Sequence, residues 1–94
     1  MDGGRDILVY IDLVVGRIPT LVECKKWGRE RKVPVDMVRN LYGVLMAERA
    51  NSAMLVTTST FTYDAKSFVN AIRFQMTLKD YEDIASWLKR YRQD

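Results

Sequence analysis

Residues 7–25 read ILVYIDLVVGRIPTLVECK. The run 7–15, ILVYIDLVV, is dense in β-branched side chains, which suit a pleated, half-buried surface. Gly16-Arg17 interrupts it, and a leading glycine suits a tight hairpin turn. Residues 18–25, IPTLVECK, form a second strand, with Pro19 tolerable near a strand start or on an edge. With Gly16-Arg17 as the turn, Tyr10 faces Glu23, Leu8 faces Lys25, and Asp6 faces Trp27, diagonal to Lys25. Side chains alternate between faces along a strand, so Asp6, Leu8 and Tyr10 share a face with Glu23 and Lys25. Opposed and diagonal neighbours lie within about 4.5–8 Å, so two carboxylates and a lysine converge at one end of the hairpin. The other face carries Ile7, Val9, Ile11, Leu13 and Val15 against Ile18, Thr20, Val22 and Cys24. It is nearly all apolar and reads as the core face.

Beyond the hairpin, residues 26–33 form a polar, basic connection. A helix over 34–49 follows, with Pro34 in its first turn and Val38, Leu41, Tyr42 and Leu45 at helical spacing. The apolar run 53–58, AMLVTT, predicts a buried strand. Thr62 is placed to cap a helix over 63–72, with Phe61, Ala65, Phe68, Val69 and Ile72 facing inward. Residues 73–77, RFQMT, alternate like a short strand. Thr77-Leu78-Lys79-Asp80 resembles a capping box ahead of a last helix that uses Tyr81, Ile84, Leu88 and Tyr91. The order β-β-α-β-α-β-α predicts an α/β sandwich around a small mixed sheet, with residues 1–94 as one domain.

Composition narrows the chemistry. The 94 residues include no histidine and one cysteine, Cys24. That excludes His-dependent hydrolase triads, His-ligated zinc and an internal disulfide. A lone cysteine makes the cytoplasm the default setting. Hydrophobic residues at 48% and charged residues at 29% are those of a globular protein. No apolar run approaches the roughly 20 residues needed to cross a bilayer, and Met1-Asp2-Gly3-Gly4-Arg5-Asp6 is no signal peptide. A net charge of +3 is compatible with nucleic acid. Chemistry near neutral pH would fall to carboxylates, lysines and a hard metal such as Mg²⁺. Two carboxylates bind such a metal while leaving room for water and a phosphate oxygen. A neighbouring lysine orients or deprotonates the water, or stabilises charge on phosphorus. By spacing alone, Asp6, Glu23 and Lys25 also suit a solvated, salt-bridged face.

Asp2-Gly3-Gly4-Arg5-Asp6 followed by Val22-Glu23-Cys24-Lys25-Lys26-Trp27 resembles the Mrr-like branch of the PD-(D/E)xK nucleases. That branch shows a D-G-G-x-D start, a strand, then an E/Q-x-K strand with a basic or aromatic residue after it. Val38 to Leu45 resembles the family's helix with its Tyr-Gly step, here Tyr42-Gly43. Ala53 to Ala65 resembles its strand ending in Thr-Thr-Ser and the helix start beyond. The resemblance covers nearly the whole chain and implies a restriction-endonuclease-like three-layer sandwich. It implies Asp6 and Glu23 as metal ligands with the carbonyl of Cys24, and Lys25 as the catalytic lysine. The implied function is a Mg²⁺-dependent endonuclease, with Mn²⁺ a substitute, hydrolysing DNA by a metal-activated water. The family usually carries a helix and a strand before this motif, and an acidic residue on that helix often assists the metal site. Here the motif starts at position 2, so part of the sheet face is expected to be open to a homodimer partner or another chain.

The stretch Lys25-Lys26-Trp27-Gly28-Arg29-Glu30-Arg31-Lys32 leaves the catalytic strand directly. Lys26, Arg29, Arg31 and Lys32 are expected on DNA phosphates, with Trp27 stacking on a base or packing under the loop. Thr57-Thr58-Ser59 lines the cleft or caps the next helix. Tyr42 and Gly43 are read as helix packing and Cys24 as an inert core residue. Two other functions stay open, a catalytically inactive nuclease fold that only binds nucleic acid and a structural assembly domain. Target sequence, methylation preference and DNA against RNA are not written in the chain.

Overall fold

The computed structural model describes the backbone of residues 5–13 and 16–93 and the side-chain surroundings of residues 19–92. The elements run β1 (Arg5–Leu13), β2 (Gly16–Lys25), α1 (Val35–Glu48), β3 (Ser52–Thr57), α2 (Tyr63–Ala71), β4 (Met76–Lys79) and α3 (Tyr81–Gln93). This is the expected order. The sheet runs β1-β2-β3-β4. β1 and β2 are antiparallel, while α1 and α2 act as crossovers that make β2, β3 and β4 mutually parallel.

The hairpin register differs from the sequence reading. Gly16 pairs with Leu13 inside the ladder, so the connection falls on residues 14 and 15, outside the described residues. Asp6 consequently faces Glu23 rather than Trp27. The slip is an even number of residues, so the strand period of two keeps Asp6 on the face of Glu23 and Lys25.

Among the described residues the core lies on the face of Leu21. Of the face expected to be the core, Thr20 is buried, while Ile7, Val9, Ile11, Leu13, Val15 and Ile18 lie outside the described side chains. Leu21 of β2 and Ala53 and Leu55 of β3 are buried beneath Val38, Leu41 and Leu45 of α1 and Ala65 and Val69 of α2. Glu23 and Lys25 continue that same face towards the strand end. Val22 and Cys24, assigned to the core from their apolar character, are half-buried on the opposite face. There Ile84 of α3 shares a small cleft with Cys24 and Val56, which makes α3 the third layer. The two crossover helices select the face, because their apolar stripes need the Leu21-Ala53-Leu55 surface. Each of the fully buried Leu41, Leu45 and Leu55 contributes about 1.5–3 kcal/mol.

Local signals explain the remaining boundaries. Thr62 caps α2 as expected, accepting the Ala65 N–H at 3.2 Å. Pro34 is the N-cap of α1 rather than part of its first turn. Residues 73–75 are not strand. Turn hydrogen bonds from Gln75 and Met76 to the Ile72 carbonyl hold them, and Phe74 is 88% exposed. The capping box of α3 is Asp80 with Asp83, not Thr77 with Asp80. Asp80 N–H donates to Asp83 at 2.9 Å and Asp83 N–H to Asp80 at 3.2 Å. Tyr42 packs edge-on against Phe68, 5.8 Å between centroids, but a Cβ at Gly43 would meet nothing within 4 Å. Packing therefore accounts for the tyrosine and not for the glycine. On α3, Leu88 is 55% and Tyr91 is 79% exposed, although both share helical spacing with Tyr81 and Ile84. Among the described residues, no helix is long and apolar enough to cross a membrane.

Candidate active site

Glu23 and Lys25 are two residues apart at the C-terminal end of β2, so both project from one face. Lys25 Nζ lies 3.1 Å from Glu23 Oε2, with side chains 10% and 12% exposed. Long charged side chains are seldom this buried unless paired. On one side the parallel register sets Leu55 against Glu23 and Thr57 against Lys25. On the other side the antiparallel register sets Asp6 opposite Glu23 and Arg5 opposite Cys24. Directly opposed positions bring Cβ atoms to about 4.5–5.5 Å. The side chain of Asp6 lies outside the described residues.

β2 ends in a bend. The Lys25 carbonyl accepts the N–H of Trp27 and the N–H of Thr58, each at 3.2 Å. It also accepts the Thr57 hydroxyl at 2.8 Å. The chain then enters the basic loop. Trp27 is only 6% exposed and belongs to the core, with the Arg31 guanidinium 3.9 Å above its ring. A ring buried in this way packs under the loop and does not present a face to a base. Arg29 lies 3.9 Å above the ring of Tyr81, the first residue of α3. Lys26, Arg29, Arg31 and Lys32 are all exposed, so the loop offers four cations next to the Glu23–Lys25 pair.

Thr57-Thr58-Ser59 neither caps α2 nor merely lines a cleft. The Thr58 hydroxyl donates to the Trp27 carbonyl at 2.8 Å, and the Ser59 hydroxyl to the Arg31 carbonyl at 2.7 Å. With Thr57 on Lys25, three consecutive hydroxyls brace the end of β2 and the loop beyond it. The run was visible in the sequence. Its partners were not, because they lie some thirty residues away and are backbone carbonyls. Cys24 is a free, half-buried thiol facing the α3 side, not a core residue.

The residue types that the backbone brings together here are hard-oxygen ones, Glu23 with its carboxylate and Asp6 by its register position opposite. Such a set suits a Mg²⁺- or Mn²⁺-sized ion and not a soft metal. Among the described residues, no three His, Cys, Asp or Glu side chains cluster for a metal.

Comparison with known proteins adds an independent line. The chain superposes on a solved structure named as the DNA modification-dependent restriction endonuclease AspBHI, with TM-score 0.78 and 25% identity. The match covers 97% of this chain and 24% of that one, so the chain spans about a quarter of that enzyme. No curated protein sequence matches. The family model of the restriction endonuclease catalytic domain of Mrr type matches residues 1–88, and the chain belongs to that restriction endonuclease family.

Proposed function

We propose that residues 1–94 form a nuclease core that hydrolyses DNA phosphodiester bonds with Mg²⁺, Mn²⁺ being able to substitute. The observation that supports this reading is the buried Glu23–Lys25 pair, 3.1 Å apart, at a strand end where the register sets Asp6 opposite Glu23. A solvated surface face would leave these groups in water, and it would not bury them beside the core.

In this reading Asp6, Glu23 and the Cys24 carbonyl hold the ion. When bound, the metal would lower the pKa of water and neutralise charge on the phosphate. Lys25 acts at Nζ. Protonated, it donates to a phosphoryl oxygen and stabilises the charge that develops there. Neutral, it takes a proton from the attacking water. The water oxygen forms a bond to phosphorus, the bond to the leaving sugar oxygen breaks, and that oxygen takes a proton from solvent. Lys26, Arg29, Arg31 and Lys32 hold backbone phosphates, which positions the duplex without reading its sequence. A nucleic-acid substrate and a free thiol fit a cytoplasmic setting.

Supercoiled plasmid separates this reading from a binding-only module. With Mg²⁺ the folded chain is expected to nick it, and a chelator is expected to stop the reaction. DNA binding that is unchanged by metal, with no nicking in either condition, would replace the enzyme by an inactive module.

A homodimer is the assembly we favour, on the evidence of α3. Trp87 is 38%, Leu88 is 55% and Tyr91 is 79% exposed along one stripe at helical spacing. Glu82 and Asp83 lie in its first turn and Arg90 and Arg92 in its last. Two such helices packed antiparallel would bury the stripes and set acids against bases. Sedimentation velocity is expected to show a dimer that Leu88→Glu converts to monomer. A monomeric wild type would remove the proposal.

A further inference from the structure

Thr57 ends β3 and sits opposite Lys25 in the parallel register. It is 1% exposed. Its Oγ1 donates to the Lys25 carbonyl at 2.8 Å and accepts the Ser59 N–H at 3.1 Å. The same carbonyl takes two main-chain donors, from Trp27 and Thr58. Those two are available whatever residues stand at 27 and 58. The third requires a hydroxyl at position 57. Strand propensity and packing do not, because valine has nearly the shape of threonine and is at least as good in a strand.

We propose that Thr57 is a positioning residue for Lys25. By tying the last peptide of β2 to the end of β3, it fixes where the Lys25 Nζ stands relative to Glu23 Oε2. Thr58 and Ser59 extend the same clasp to the carbonyls of Trp27 and Arg31, so the lysine and the basic loop share one frame. Lys25 is the last residue of its strand, paired with Thr57 at the end of β3. The hydroxyl adds a side-chain donor to the main-chain bonds at this strand end. This role rests on the nuclease reading above.

The test is the steady-state kinetics of Thr57→Val and Thr57→Ser on a short duplex with Mg²⁺. Thr57→Val is expected to lower kcat by roughly 10- to 100-fold, the scale of a misplacement of about 1 Å, while KM moves only a few-fold. Thr57→Ser keeps the hydroxyl and is expected to recover kcat to within a few-fold of wild type. If Thr57→Val does not fold, Thr57→Ala against Thr57→Ser makes the same comparison. An unimpaired Thr57→Val, or equal loss in the valine and serine variants, overturns the positioning role alone. An inactive wild type overturns the nuclease reading and this role with it.

Discussion

Lys25→Met is expected to lower Mg²⁺-dependent nicking by about a thousandfold, roughly 4 kcal/mol of transition-state stabilisation. Methionine retains an unbranched apolar stem of similar length and removes only the charged tip. The lost rate therefore reports on Nζ, which lies 3.1 Å from Glu23 Oε2. DNA affinity is expected to change little, because Lys26, Arg29, Arg31 and Lys32 remain exposed beside the site. Plasmid nicking and filter binding on the same preparation measure the two quantities. Nicking at the wild-type rate would remove Lys25 from the chemistry.

Stability gives a second readout of the same pair. Removing one member of a buried ion pair leaves the other charge uncompensated and costs about 3–5 kcal/mol for fully buried groups. At 10% and 12% side-chain exposure the cost here falls towards the lower end of that range. The double variant Glu23→Gln with Lys25→Met removes both charges. It is expected to melt higher than Lys25→Met alone while staying inactive. That pattern would show a charge pair kept for chemistry at some expense in stability, as active sites commonly do.

How far the sequence revealed this arrangement depended on the kind of signal. Element order was legible because each element carries its own signal, such as Val38, Leu41 and Leu45 at helical spacing on α1 and the apolar run 53–58 for β3. Asp6, Glu23 and Lys25 were legible as one face because strand parity survives an even slip in register. The choice of core face was not legible. Leu8 was grouped with Glu23 and Lys25 by strand parity, Leu21 was assigned to neither face, and only the two crossover helices decide that Leu21, Ala53 and Leu55 lie under cover. The strand read at 73–77 starts three residues further on, at Met76–Lys79, because alternation in RFQMT is too short to outweigh the turn that closes on Ile72. The hydroxyl clasp was invisible for a different reason. Its acceptors are backbone carbonyls, and a backbone carbonyl has no sequence signature.

The aromatic in the basic loop sets the second large effect. Trp27→Ala is expected to cost about 3–5 kcal/mol, the usual loss when a buried indole is truncated. Trp27 is 6% exposed and stands among the core residues with Val33 and Phe61. Its N–H reaches the Lys25 carbonyl, its own carbonyl accepts the Thr58 hydroxyl at 2.8 Å, and Arg31 covers its ring at 3.9 Å. Truncation would leave a void under the loop and remove the surface on which Arg31 lies. In a small domain, whose whole stability is about 5–15 kcal/mol, this is a large share. At about 4–8 °C per kcal/mol for a chain of this size, the melting midpoint is expected to fall by well over 10 °C. Trp27→Phe, which refills most of the void, is expected to recover most of that loss. The rival role for this residue, stacking on an unpaired base, makes the opposite forecast. It predicts a variant that melts like wild type and binds single-stranded DNA more weakly. Thermal melts of Trp27→Ala and Trp27→Phe with matched DNA titrations decide between them. The 6% exposure favours the anchor, since a ring already packed on both sides has no face left to offer.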